Sequence, residues 1–412
     1  MTLTAKKIKN NNSSDIQFYS SLADAKDYPA PKMSMLPGLS ASFFWGGDEI
    51  EEKNSIFLGN GDFFQEGRYA LFRALLEAGV REGDVVCMPA YHCRSLVEPA
   101  IYLGAKIFFY SVDSCLHPNL DDISQHLIEL DGLVKVIVLP HYFGFPQNMS
   151  EIVSFCEINN ICLIEDCAHA YFGSYEGRML GSFGEFAIAS PRKFFPVEDG
   201  GVFVDNRSQV YAKKKLVGKP IVSEIKTIVR MLLSLLKSGS AASEFDSVPI
   251  LPDKISVKSE ADVLSDCKLE EFDPFFAKRG GSLISKLIIK NVSHAKICAY
   301  RRANYVRWLE GVVNLNGCHA LYSFLPDDVV PYVFPLVIEQ DANYVFGVLK
   351  ELGVPVWRWE DFAVSKCDVS LEYRRSLIQL PCHQGLSEKQ VNWMISIIQL
   401  IMTEKNTHKN LC

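Results

Sequence analysis

Between residues 66 and 206 the chain alternates short apolar runs with segments of helical periodicity, and this rhythm constrains the fold more than any other feature. The apolar runs are Asp84-Val85-Val86-Cys87-Met88, Lys106-Ile107-Phe108-Phe109-Tyr110, Val134-Lys135-Val136-Ile137-Val138-Leu139, Ile161-Cys162-Leu163-Ile164 and Phe186-Ala187-Ile188-Ala189. Helical patterns fall between them at 69–79, 95–103, 120–130 and 149–159. Strands that are apolar almost throughout must be buried on both faces, which predicts an α/β fold with a mostly parallel sheet covered by helices. Ligands of such sheets bind beyond the carboxyl ends of the strands. Those ends carry Pro89 to Cys93, His141, Asp166 and Ser190.

The rhythm breaks after residue 206. The pattern predicts an N-terminal polar arm at 1–30, a large domain at 31–206, a divergent helical segment at 207–294 and a smaller α+β domain at 295–412. Within the divergent segment, 225–237 reads as a strongly apolar amphipathic helix whose polar face carries only Lys226, Arg230 and Lys237. That charge disfavours membrane-surface contact and favours packing against protein. Ser238 to Asp246 reads as a polar linker. In the small domain 299–309, 341–352 and 388–402 read as helices, 332–338 as a strand and 354–359 as extended chain.

A net charge of −7 gives no basic field for nucleic acid. The twelve cysteines lack Cys-x-x-Cys pairs and zinc-site spacings, and as free thiols they suggest a reducing cytoplasm. The N-terminus has lysines but no apolar core after them, so it does not read as a secretory signal, and no stretch is long enough to span a membrane.

Lys193 follows a buried strand in Ser190-Pro191-Arg192-Lys193-Phe194-Phe195-Pro196, with Glu198-Asp199-Gly200-Gly201 after it. A desolvated lysine has a lowered pKa, so its neutral amine can attack a carbonyl and form a Schiff base. Upstream, Ile164-Glu165-Asp166-Cys167-Ala168-His169 places a carboxylate at a strand end, where it can hold a pyridinium proton. A Schiff-base lysine with an acidic partner matches the parts needed for pyridoxal 5'-phosphate.

Further blocks extend the pattern: Gly83 to Tyr91, Leu103-Gly104-Ala105-Lys106, Pro140-His141-Tyr142-Phe143-Gly144, Gly181-Ser182-Phe183-Gly184 and Asp199 to Asn206. In this order the chain resembles the DegT/DnrJ/StrS family of pyridoxal-phosphate aminotransferases of fold type I, clearly over 58–206 and more weakly from about 295. The resemblance implies Lys193 and Asp166 as catalytic residues. It implies Gly67, Arg68 and Ser190 at the cofactor phosphate, the first two opening a helix whose N-terminus suits an anion. It implies His169 beside the phenolic oxygen, a homodimer, and a small-molecule amino donor, plausibly glutamate, with a keto acceptor such as a keto sugar of polysaccharide or secondary-metabolite synthesis. Relatives place an aromatic over the ring where this chain has Cys93; His92 or Tyr91 could take that place, and His92 is the expected substitute. The phosphate turn reads Glu66-Gly67-Arg68, and Glu66 there must point away or pair with Arg68. The segment 272–285 lacks the family's Asn/Tyr-Arg-Met substrate signature. Alternatives are elimination or dehydration on the same cofactor, or a degenerate homologue without activity. Trp357, Arg358 and Trp359 are candidates to face the substrate from the small domain, and equally core or rim residues.

Overall fold

The apolar runs become the centre of a seven-stranded sheet in the computed structural model. The structure describes residues 16–20, 28–40, 55–59, 61–129, 133–207, 216–237, 245–247, 251, 263–266 and 269–409. The strands are β1 Gln17–Ser20, β2 Asp62–Phe64, β3 Val85–Pro89, β4 Lys106–Tyr110, β5 Val134–Pro140, β6 Cys162–Cys167, β7 Ser174–Tyr175, β8 Arg178–Met179, β9 Phe186–Ala189, β10 Gly201–Asp205, β11 Val263–Asp266, β12 Cys318–Ala320, β13 Val333–Ile338 and β14 Leu377–Pro381. The helices are α1 Gly67–Glu77, α2 Arg94–Tyr102, α3 Leu120–Glu129, α4 Met149–Asn159, α5 Ile221–Lys237, α6 Leu283–Asn291, α7 His294–Val312, α8 Ala342–Glu351, α9 Asp368–Ser376 and α10 Glu388–Lys409.

The large sheet runs β2-β10-β9-β6-β5-β3-β4. Strands β4, β3, β5, β6 and β9 are parallel, and β10 and β2 join antiparallel at one edge. Alternate residues feed two cores. Val86, Met88, Val136, Val138, Ile164 and Ile188 pack with α1 and α2 on one face. Cys87, Ile137, Leu139, Leu163, Cys167 and Ala187 belong to the core on the other. A period of two with both faces covered accounts for the unbroken apolar runs.

The small domain builds the sheet β12-β13-β14. Its helix α7 lies against it, with the Trp308 ring stacked on Phe334 at 5.4 Å and its indole N–H donated to the Pro381 carbonyl at 3.0 Å. The chain at 354–359 is extended as expected, with Trp357 bridging to Gln379.

The N-terminal arm needs a correction. Residues 1–15 lie outside the described residues, but β1 is no loose segment. It pairs with β11, buries Phe18 completely, and exchanges backbone hydrogen bonds with Phe362 and Val364. Its short polar neighbours hide a strand that gains its partner only in the fold. Most of the expected linker at 238–246 lies outside the described residues.

One long-range contact prepares the site. Glu98 on α2 is fully buried and accepts the amides of Glu270 (3.0 Å), Glu271 (2.8 Å) and Phe272 (2.6 Å), while Arg94 donates to it at 2.7 Å. This anchors the segment lacking the substrate signature against α2, next to Cys93. A buried carboxylate holding this many donors is costly to remove. Glu98→Gln keeps the volume but turns one acceptor oxygen into a donor. It is expected to destabilise the fold by about 2–3 kcal/mol, read by denaturant titration; an unchanged midpoint would show that the anchor contributes little.

Candidate active site

Three strand ends assemble the site. Asp166, the penultimate residue of β6, lies in register between Pro140 of β5 and Ile188 of β9. Two residues past Ile188, Ser190 opens the short 3₁₀ turn Pro191–Lys193. The Asp166 carboxyl is buried, and burial raises its pKa. The opposing influences are the Ala168 N–H donated to Oδ1 at 2.8 Å and the positive field of Lys193. Lys193 keeps some exposed surface, yet enough protein surrounds its amine that burial lowers its pKa to about 8. Cys93 and Asp166 counter that shift, whereas Arg192 and Arg68 add to it. The amine lies 5.3 Å from the centroid of the Tyr332 ring.

His141 and Glu165 organise the surroundings from below. Glu165 is fully buried and accepts the amides of Gly181 (2.9 Å), Phe183 (2.5 Å) and Gly184 (2.7 Å). His141 accepts the Gln147 amide at Nδ1 (3.2 Å), so its Nε2 carries the proton shared with Glu165 at 3.2 Å. Here the Gly181-Ser182-Phe183-Gly184 block acquires its reason: a Cβ on Gly184 would stand 2.6 Å from the Leu163 carbonyl oxygen.

At the start of α1, Glu66 has extended backbone and does not cap the helix with its side chain. It turns to Arg68 (2.7 Å) and Arg192 (3.6 Å) instead. The pairing foreseen for Glu66 is therefore present, and two guanidinium groups balance its charge. Gly67 sits beside Ser190, with Ser190 Cβ 3.5 Å from where a Gly67 Cβ would be. Ser190 is buried, and among the described residues its hydroxyl has no hydrogen-bond partner. The turn after Lys193 completes this corner. Gly200 donates to the Gln65 carbonyl at 2.7 Å, and a Cβ on Gly201 would stand 2.2 Å from the Glu66 carbonyl oxygen. Asp199 itself points elsewhere, accepting from Ser282, Ser285 and Lys219.

His169 is buried, and burial holds its pKa well below the ordinary value, with Lys193 adding to the effect. Its Nδ1 accepts the Phe143 amide at 3.4 Å, which leaves the neutral ring with its proton on Nε2. Phe143 (5.6 Å), Tyr332 (4.6 Å) and Trp359 (5.5 Å) surround it. Trp359 also stacks near Tyr91 at 4.9 Å, so of the small-domain candidates it reaches this wall. Arg358 turns away to Glu360 and Asn343, and Trp357 is a partly exposed rim residue.

The expectation for His92 is corrected by the structure. Its ring stacks on Phe109 at 5.0 Å, Nδ1 meets the Cys93 carbonyl, and Nε2 accepts the Ala363 amide at 3.2 Å. Burial pushes its pKa down to about 4. It is a core residue. Cys93 is the residue of this turn that senses the site: Lys193 lowers its pKa and Glu271 and Asp166 raise it, within a shift upward dominated by burial. Tyr91 points into the aromatic wall. His92→Ala is accordingly expected to cost about 1–3 kcal/mol of stability, because the buried Ala363 amide loses its acceptor. Cys93→Ala is expected to leave thermal unfolding almost unchanged and to alter cofactor retention. Thermal melts and dialysis retention on the two variants decide this, and the reverse ordering of effects would restore His92.

A cleft of ≈ 310 Å³ opens from Cys93 outward, lined by Arg94, Glu271, Lys350, Trp357 and Trp359 among others. A larger one, ≈ 940 Å³, lies at the opposite end of the strands around Asp84, Lys135 and Glu185, away from Lys193.

Residues 53–221 match the model of the DegT/DnrJ/EryC1/StrS aminotransferase family. A 148-residue stretch is 33% identical to GDP-perosamine synthase of Escherichia coli O157:H7, covering 35% of this chain and 40% of that protein. A 144-residue stretch is 32% identical to dTDP-4-dehydro-2,3,6-trideoxy-D-glucose 4-aminotransferase of Saccharopolyspora spinosa, covering 34% and 37%. The match thus spans about 40% of the length of these curated relatives. Among solved structures, the aminotransferase TlmJ from Streptoalloteichus hindustanus superposes with a TM-score of 0.61 at 20% identity over 85% of this chain and 88% of that one. Helicobacter pylori PseC, an aminotransferase involved in the biosynthesis of pseudoaminic acid, superposes with a TM-score of 0.60 at 14% identity over 84% and 88%. The fold is that of the fold-type-I aminotransferases, as the sequence implied.

Proposed function

From a large domain that matches the DegT/DnrJ/EryC1/StrS aminotransferases over residues 53–221, we propose that this chain is a pyridoxal-phosphate-dependent aminotransferase. It moves an amino group from an amino-acid donor, with glutamate the expected one, to a keto acceptor, and the similarity to GDP-perosamine synthase and to a dTDP-sugar 4-aminotransferase favours a keto sugar carried on a nucleotide. The observation that carries the reading is the meeting of a lysine amine lowered to about 8 with a buried carboxylate at adjoining strand ends.

The residues present fit the cofactor. The first amides of α1 and the unpartnered Ser190 hydroxyl form an anion corner, and Glu66 is already neutralised by Arg68 and Arg192. Gly67, Arg68 and Ser190 would hold the phosphate, Asp166 the ring nitrogen, Lys193 the carbonyl carbon, and the Nε2–H of His169 the phenolic oxygen. When bound, pyridoxal phosphate supplies an electron-accepting ring conjugated to the reacting carbon.

This chain's own groups do the rest. Lys193 reaches its neutral form at mildly alkaline pH, so it can act as nucleophile and then as the base that carries a proton from the donor Cα. The Asp166 carboxylate would hold a proton at the ring nitrogen, so that the bound group could take up negative charge developing at that carbon. His169, held neutral, donates without adding a positive charge beside Lys193. Tyr332 covers the amine, and Phe143 and Trp359 pack around His169 beside it, which limits water there.

The test is spectroscopic. Purified protein incubated with pyridoxal phosphate should develop a visible band that borohydride traps on Lys193 and that an amino donor bleaches. A protein with no such band and no trapped adduct would sink the proposal, and a band that donors leave unchanged would point to other chemistry.

The proposed assembly is a cytoplasmic homodimer. Ile221 (78% exposed), Val222 (64%) and Ile225 (53%) give α5 an open apolar face, and a second copy would cover it. Among the described residues no helix is long and apolar enough to cross a membrane. Sedimentation at micromolar concentration should return a dimer; a monomer, or tight binding to liposomes, would count against this assignment.

A further inference from the structure

Arg301 of α7 is fully buried, carries a charge, and has no ion-pair partner among the described residues. Its guanidinium is spent on dipoles. Nη2 donates to the Lys193 carbonyl at 2.7 Å, Nη1 to the carbonyls of Tyr332 (2.9 Å) and Pro331 (3.2 Å), and Nε to Gln384 Oε1 at 2.9 Å. Gln384, also buried, donates its Nε2–H to the Phe194 carbonyl at 2.7 Å. The guanidinium lies 4.6 Å from the Phe194 ring centroid. Three residues further along α7, Asn304 donates to the His383 carbonyl at 3.1 Å and so steadies the segment that carries Gln384.

The carbonyls that Arg301 grips belong to residues whose side chains meet. The Lys193 amine lies over the Tyr332 ring, and that ring packs against His169. A buried guanidinium is costly where no carboxylate balances it, and burial lowers its pKa to about 10. A fold that needed only to cement two domains could do so with apolar contacts at lower cost. The planar fork offers what apolar contacts lack: several donors at fixed angles to separate backbone segments.

We propose that Arg301 and Gln384 are positioning residues, a clamp from the small domain that fixes the Lys193 turn and Tyr332 relative to each other and thereby sets where the lysine amine stands. The proposal deepens the aminotransferase reading and rests on it for its meaning, but the clamp itself can be measured without cofactor.

The experiment titrates Lys193 in the full chain freed of cofactor. Trace acetic anhydride labels amines across the neutral to alkaline range, and mass spectrometry follows the Lys193 peptide. In the wild type its midpoint should fall near 8. Arg301→Lys keeps the charge and loses the fork. The turn then relaxes, the amine gains water, and the midpoint should rise toward the ordinary 10.5. Gln384→Met frees the Phe194 carbonyl and the Arg301 Nε–H but leaves the Lys193 and Tyr332 carbonyls held, and should move it in the same direction by less. The other groups that act on the amine, Cys93, Asp166, Arg192 and Arg68, are unchanged in both variants, so the shift reports placement. Loss of mere interdomain packing would lower the melting temperature and leave the midpoint in place. A folded variant of either kind with the wild-type Lys193 midpoint overturns the clamp, and if Arg301→Lys does not fold, Gln384→Met decides alone. Failure of the cofactor reading would show separately, as a wild-type protein without the visible band.

Discussion

Lys193→Ala is expected to abolish the visible band of the cofactor-loaded protein and to reduce transamination by at least about 10²–10⁴-fold, the contribution of one general acid–base group. The fold should survive. The clamp on this turn holds the Lys193 carbonyl, which alanine retains, and Phe194 and Phe195 on its far side are fully buried. The substitution also has a signature in the cofactor-free protein. In the folded chain the amine titrates near 8, against 10.5 for an ordinary lysine, so between those values the unfolded chain binds the extra proton. Stability of the wild type therefore rises with pH across that window, and below it the buried ammonium is a constant liability. A Lys193→Met variant, which fills the space without charge, should be at least as stable as the wild type at neutral pH. The advantage should shrink as pH climbs from 8 toward 10.5. A borohydride-trapped adduct persisting in Lys193→Ala would place the reactive amine elsewhere, and a Met variant with no pH-dependent difference would mean that the amine is solvated.

The sheet and its carboxyl-end site were legible because both depend on local patterns. Val134 to Leu139 could be read as a central strand since burial on both faces forbids polar alternation, and Lys193 and Asp166 stand at ends of such strands. The Gly200-Gly201 pair was legible as part of the block after Lys193, though not why it is glycine: Gly201 opens β10 and is pressed against the Glu66 carbonyl, a contact between distant segments. His92 and Cys93 show where a single sequence falls short. They are neighbours on one turn and point to different sides, so a small difference in backbone path exchanges core for site, much as a one-residue slip exchanges the faces of a strand. Residue chemistry favoured the imidazole, and the fold gave the ring to Phe109 and the Ala363 amide. The contacts of Arg301 carry no motif either. They run to backbone carbonyls at sequence separations of 30, 31 and 108 residues, and any residue type offers a carbonyl. The same holds for Glu98, whose partners are amides more than 170 residues away.

Asp166→Asn probes the other half of the pair and should act on chemistry more than on folding. Asparagine has the shape of the aspartate and keeps an oxygen for the Ala168 amide, now 2.8 Å from Oδ1. It cannot hold a proton on a ring nitrogen by charge. Removing one preorganised electrostatic partner of a developing charge costs about 10²–10³ in turnover, and a loss of at least that size is expected, with the visible band retained because Lys193 is untouched. The cofactor-free protein gives an independent reading. Asp166 is among the groups that raise the Lys193 pKa, against the dominant effect of burial. Its neutral replacement removes that support for the ammonium, so the Lys193 midpoint should drop below 8, opposite in direction to the rise expected for Arg301→Lys. The two variants together separate charge from placement: one changes the field at an amine held in place, the other moves the amine in an unchanged field. Turnover and Lys193 midpoint both at wild-type values in Asp166→Asn would remove Asp166 from the mechanism. A lower midpoint with full turnover would keep it beside the lysine but assign the ring nitrogen to another group.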